Sequence, residues 1–108
     1  MRNSARWPLL FLAIVACTGA APANCPSSLI EAGSDHTLVN ASLYDGPPDQ
    51  MADLIPVPAG SVDRWSLDGV DPFLVCKFQG IMKVVTLHVV GAKVCEAGQK
   101  PFQAYCKR

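Results

Sequence analysis

Histidine is scarce in this chain. Only His36 and His88 occur, and no C-x-x-C pair or His-x-x-x-His spacing accompanies them. The ligand spacings of a structural zinc site are therefore missing. The D-x-D-x-D-G pattern of a calcium loop is missing as well, so Asp63, Asp68 and Asp71 read as solvated acids of a turn-rich stretch. Neither histidine sits in a catalytic constellation. His36 comes directly after Ser34 and Asp35, but neighbours in a loop do not make a triad, whose base is oriented by a third group across space. His88 alternates with Leu87 and Val89 in a strand-like run. The lysines are spread through apolar runs rather than gathered on a basic stripe, which argues against nucleic acid as a partner. The expectation is no metal, no cofactor and no catalytic residue. Internal repeats and low-complexity tracts are also lacking.

The N-terminus is distinctive. Arg2 and Arg6 precede an uncharged run from Trp7 to Ala16. About ten apolar residues cannot span a hydrocarbon core of about 30 Å as a helix, but they suit the h-region of a secretory signal. Two processing chemistries suit the end of this segment. Ala21-Pro22-Ala23 is an A-x-A site, and cleavage after Ala23 leaves Asn24 first. Ile14-Val15-Ala16-Cys17 resembles a bacterial lipobox, in which Cys17 is acylated and Thr18–Asn24 becomes a short tether. The chain is thus a signal segment of residues 1–23, or 1–16 with lipidation at Cys17, and then one domain over residues 24–108. No second apolar run approaches the length of a membrane span. The expected location is extracytoplasmic: periplasmic or secreted, or lipid-anchored at the membrane.

The formal net charge of zero conceals an asymmetry. From Asn24 to Asp71 there are eight acids (Glu31, Asp35, Asp45, Asp49, Asp53, Asp63, Asp68 and Asp71) and one base, Arg64. From Pro72 to Arg108 there are six bases (Lys77, Lys83, Lys93, Lys100, Lys107 and Arg108) and one acid, Glu96. Such a division signals either a basic face for an anionic partner or two segments that lie together and partly neutralise, and the second is the expectation here.

The pattern along residues 24–108 is mainly β. Thr37–Tyr44 has the β-branched and aromatic content of a strand, with a turn at Gly33–His36 before it and Asp45-Gly46 ending it. Pro47–Leu54 reads as one short helix, with proline in its first turn, Asp49 at the positive end of the dipole, and Met51, Leu54 and Ile55 on one stripe. Arg64–Leu67 is a short strand with Trp65 and Leu67 on one face. Phe73–Phe78 and Lys83–Val90 flank a Gln79-Gly80 break and form a hairpin, with Leu74, Cys76 and Phe78 on one face and Phe73, Val75 and Lys77 on the other. Gly91-Ala92 and Glu96–Pro101 read as turns, and Phe102–Cys106 as the last strand. The expected fold is a small antiparallel sheet with one short helix, stapled by two disulfides, after the N-terminal signal segment. Asn40-Ala41-Ser42 matches a glycosylation acceptor but reads as a chance match beside a bacterial-type signal.

Five cysteines are an odd number. Once Cys17 is cleaved away or acylated, Cys25, Cys76, Cys95 and Cys106 remain, and an even set in a short exported chain reads as a disulfide framework. Four cysteines allow three pairings. Cys95 with Cys106 would staple the final turn, leaving Cys25 to anchor the N-terminus to the central strand at Cys76. A domain this small buries a modest core, and staples worth about 2–4 kcal/mol each compensate for it.

Leu43–Pro56, Trp65-Ser66-Leu67 and Phe73–Gly80 together resemble the STY-type family of small exported bacterial proteins. That family carries a D-G-P-P-x-x-x-A-x-L-x-P segment, a W-x-L strand and an L-V-C-x-Y-x-G strand. Phe78 stands where the family usually has tyrosine, and Ile81 comes after Gly80 where threonine is common. The resemblance implies export, cysteine pairing and a β-rich fold, and it implies no activity.

The functional expectation is a non-enzymatic binding module whose partner is another protein or a component of the cell envelope. The turn and charged positions expected at its surface are Asp45, Gly46, Pro47 and Pro48 on one loop, and Lys77 and Lys83 on the hairpin. Leu74-Val75-Cys76 together with Cys106 is similar to small periplasmic inhibitors of lysozyme, which gives one alternative. An envelope lipoprotein with a structural role is another.

Overall fold

The computed structural model describes residues 23–108. Cys17 and residues 1–22 of the signal segment lie outside the described residues. Nine strands run in chain order: β1 (Ser28–Glu31), β2 (Ser34–Asp45), β3 (Asp53–Leu54), β4 (Val57–Ala59), β5 (Val62–Ser66), β6 (Pro72–Phe78), β7 (Val84–His88), β8 (Val94–Gly98) and β9 (Gln103–Lys107). They form two antiparallel sheets rather than the single sheet expected. One has the order β1-β2-β6-β7, with β3 also paired to β2, and the other has the order β4-β5-β8-β9. A single core lies between them, with Leu43, Leu74, Cys76 and Phe78 from the first sheet and Trp65, Cys95, Ala97 and Ala104 from the second.

The local reasons are visible in the sequence. β1 and β2 are joined by Ala32 and Gly33, both at positive φ (53° and 80°), which is the two-residue hairpin geometry whose twist matches its strands. The turn therefore ends at Gly33, and Ser34–His36, expected in it, already belong to β2. Within β2 the register with β6 slips between Leu38 and Asn40, leaving Val39 as an extra, exposed residue. This bulge reverses the alternation and lets both Leu38 and Leu43 face the core although five positions separate them.

β6 lies at the centre. Leu74, Cys76 and Phe78 all face the core, as the period of two requires. Cys25 is bonded to Cys76, and Cys95 to Cys106, the pairing expected from the sequence. Cys95 and Cys106 are register partners on β8 and β9. Beyond β9, the N-terminal stretch adds a short pairing: Cys25 N–H donates to Ala104 O and Cys106 N–H to Ala23 O, both at 2.8 Å. The first described residues thus cover one sheet edge before the chain enters the other sheet.

Two further expectations are corrected. The segment Pro47–Leu54 is not a helix on one stripe. It holds a single 3-10 turn, Pro48–Gln50, ended by Met51 in the left-handed region at φ 61°, and Asp53 and Leu54 then pair with Tyr44 and Leu43. Two adjacent prolines and a left-handed residue leave no room for a second turn. Glu96–Gly98 are not a turn but the second half of β8. Glu96 is tolerated in a central strand because Arg64 and Tyr105 both donate to its carboxylate there. Gly98 is required because a Cβ at that position would sit 2.6 Å from Ser61 O, at a φ of 145°.

Candidate interaction surface at the sheet crossover

The chain passes from the first sheet to the second at several points, and the shortest passage is Ile55-Pro56, between β3 and β4. It is held from beneath. Leu54 pairs with Leu43, and its carbonyl accepts the indole N–H of Trp65 at 2.9 Å. Trp65 is itself buried between the sheets. The preceding loop is fixed at both ends. Asp45 N–H donates to Ala52 O at 2.9 Å, Gly46 N–H to Asp71 O at 2.7 Å, and Asp71 N–H to Asp45 Oδ1 at 2.8 Å. Asp45 and Gly46, expected as exposed interaction residues, therefore serve first as the clamp that shapes this loop.

What the clamp presents is apolar. Met51 is 80% exposed, Ile55 81% and Val57 66%. Two hollows of about 250 and 280 Å³ share Leu54, Ile55 and Trp65 as lining. Asp53 and Asp63 contribute to the first, Asp68 and Val70 to the second. Met51 and Ile55, expected on a helical stripe, instead point to solvent. Isoleucine and valine interleaved with Pro56 and Pro58 are the signal that identifies this segment, because prolines at alternate positions confine it to a short edge strand and leave its apolar side chains exposed.

Lys77 and Lys83 lie elsewhere. Asp45 pairs with Pro72 and Asn40 with Lys77 on the same two strands, so five strand residues, about 17 Å at the usual rise, separate the two ends. Lys77 Nζ donates to Ser42 Oγ at 2.7 Å, and Lys83 pairs with Glu31 at 3.4 Å near the hairpin tips. The structure does not bring these lysines to the Asp45–Pro48 loop.

The histidines also receive definite places. His36 Nδ1 lies 2.8 Å from Gln79 O, and among the described residues no hydrogen bond links its ring to a serine or aspartate side chain. His88, at the end of edge strand β7, lies 2.6 Å from Asp71 Oδ1 and stacks on Phe73 with ring centroids 4.1 Å apart. Tyr44, Phe73 and His88 are consecutive register partners on the outer face of the first sheet, so this cluster adjoins the same clamp.

On the outer face of the second sheet, Arg64, Glu96 and Tyr105 are register partners across three strands. Arg64 Nε donates to Glu96 Oε2 at 2.7 Å, and Tyr105 Oη donates to Glu96 Oε1 at 2.6 Å. Glu96 is only 7% exposed. Its cover is the two partner side chains over the sheet rather than a deep interior, so hydrogen bonding outweighs desolvation. The bond from Tyr105, and after it the one from Arg64, holds the Glu96 carboxyl below the usual glutamate value. The same bond, with burial second, pushes the Tyr105 phenol above its ordinary value. Sequence alone does not single out this trio, yet its signal is present: Arg64 is the one base of the acidic half and Glu96 the one acid of the basic half.

Among the described residues no group of three or more histidine, cysteine, aspartate or glutamate side chains is arranged to hold a metal. No helix among them is long and apolar enough to cross a membrane. No protein-family model, curated protein or solved structure matches this chain.

Proposed function

We propose that the protein is an exported binding domain that engages its partner through the crossover surface formed by Met51, Ile55 and Val57. The observation that carries this reading is the exposure of three large apolar side chains on a segment whose backbone is tied down before and beneath it. Exposed apolar groups on a braced segment favour association, since little entropy is lost on binding. Export is supported by the basic n-region and apolar run at the N-terminus, and by two disulfides, which persist in oxidising compartments. Acylation of Cys17 would retain Ala23, whose carbonyl accepts from Cys106 N–H, whereas cleavage after Ala23 would remove that acceptor and leave the Cys25 N–H to Ala104 O bond at the same edge.

Immobilised oxidised protein tests the reading against extracytoplasmic extract of the host. Ile55→Ser and Val57→Ser alter side chains that face solvent, and such changes stay within about 0.5 kcal/mol in stability. The wild-type protein is expected to retain a partner that the Ile55→Ser/Val57→Ser protein loses. Equal retention by both would contradict the assignment of the surface.

A further inference from the structure

The crossover surface has a mainly acidic rim, with Lys77 held on Ser42 at the margin of the first hollow and Arg64 lining the second. Asp53 and Asp63 line the hollow on one side of Ile55, and Asp68 lines the hollow on the other. Among the described residues no ion pair engages any of the three: the ion pairs there join Arg64 to Glu96 and Lys83 to Glu31, and His88 lies against Asp71. Arg64 is the one cation lining either hollow, and its charge is already matched by the buried Glu96 carboxylate. Asp49 adds a further acid in the neighbouring 3-10 turn, whose last turn carries no base.

We infer that the crossover docks a cationic segment of a partner protein, with an apolar side chain seated against Ile55 and lysine or arginine side chains facing Asp53, Asp63 and Asp68. This rests on the reading of the crossover as the binding surface, and it specifies the chemistry of what binds there. The backbone sets the mode of recognition. β4 is the edge strand of its sheet, but Pro58 within it and Pro56 before it offer no N–H, so the edge is a poor template for an added strand. Recognition then falls to side chains. Apolar contact supplies affinity at the centre, and the charged rim selects the sign of the partner and speeds encounter. An acidic partner would meet three uncompensated carboxylates and be repelled.

The test uses the oxidised protein and labelled peptides of about twelve residues, read by fluorescence anisotropy: alternating Lys and Leu, alternating Glu and Leu, and alternating Lys and Ser. The Lys/Leu peptide is expected to bind at least about tenfold more tightly than either of the others. Its affinity should fall several-fold between about 0.05 and about 0.5 M salt, where the screening length shrinks to a few ångströms. Ile55→Ser should weaken it about tenfold, and so should the combined Asp53→Asn, Asp63→Asn and Asp68→Asn changes, while Asp35→Asn on β2 leaves it unchanged. Equal binding of the Glu/Leu peptide, or an affinity indifferent to the three asparagine changes, overturns the cationic assignment. If that happens while the natural partner is still retained in an Ile55-dependent way, the docking surface stands and only the partner's chemistry is wrong. If Ile55-dependent retention is itself absent, the surface fails with it.

Discussion

Glu96 shows how one hydrogen bond can set two pH limits. Its carboxylate is held in the charged form by Tyr105 and Arg64, so its folded-state pKa lies below the unfolded one. The contribution to stability is therefore complete above about pH 4.5 and is lost as pH falls through the folded value. Tyr105 behaves oppositely. Its folded pKa is raised, so its contribution is complete below about pH 10 and is lost as pH rises through the folded value. Tyr105→Phe removes the largest cause of the Glu96 shift. NMR titration of the Glu96 side-chain carboxyl carbon should then show its midpoint moving up towards the ordinary glutamate value, and thermal melts should show the acid-side loss of stability becoming shallower. A midpoint unchanged by Tyr105→Phe would contradict the assigned hydrogen bond. Arg64 and Glu96 are legible in the sequence as the two exceptions to the charge division, but their adjacency is not. It depends on β5 pairing with β8 across more than thirty positions of chain, and on Arg64 meeting Glu96 in register.

Strands are the most legible elements. β6 and β7 are visible from their β-rich composition, and the alternation places Leu74, Cys76 and Phe78 on the buried face correctly. The segment between Pro47 and Leu54 misleads because its apolar spacing fits a helix, while its backbone is governed by two prolines and by Met51 in the left-handed region. Glu96–Gly98 resembles turn chemistry because a buried glutamate and a glycine are unusual in a central strand. Each is accounted for by a contact distant in sequence, Arg64 for Glu96 and Ser61 for Gly98, with Tyr105 on the adjoining strand completing the Glu96 site. The two disulfides act on different lengths of chain. Cys25–Cys76 joins positions 51 apart and Cys95–Cys106 positions 11 apart. The chain-entropy argument assigns about 4 kcal/mol to the first and about 3 kcal/mol to the second. Denaturant unfolding of the paired Cys→Ser variants should show the Cys25→Ser/Cys76→Ser protein as the less stable of the two. The reverse order would mean that the short clasp on β8–β9 contributes more than loop closure accounts for.

At the level of the whole molecule, the charge division survives folding. The single base of the acidic half and the single acid of the basic half cancel each other in the Arg64–Glu96 pair. Of the remaining eight acids and six bases, only Glu31 and Lys83 form an ion pair among the described residues, while Asp71 lies against the His88 ring. Partial neutralisation between the halves is thus limited to a few contacts, and Asp53, Asp63 and Asp68 remain without ion-pair partners around an exposed isoleucine. The second sheet is not legible from the sequence, because strands of three to five residues carry too little alternation to reveal which sheet they join. The proposed binding surface is only half legible for the same reason. The Asp45–Pro48 loop stands out by its turn residues, while Ile55 and Val57 gain their meaning only from the crossing of the chain between sheets there. The most direct test of the account is photo-crosslinking in the host from p-benzoylphenylalanine placed at position 55, with position 86 on β7 as the comparison. The account predicts a discrete protein adduct from position 55 that excess wild-type protein suppresses, and no such adduct from position 86. Adducts of equal yield from both positions, or none from position 55, would contradict it.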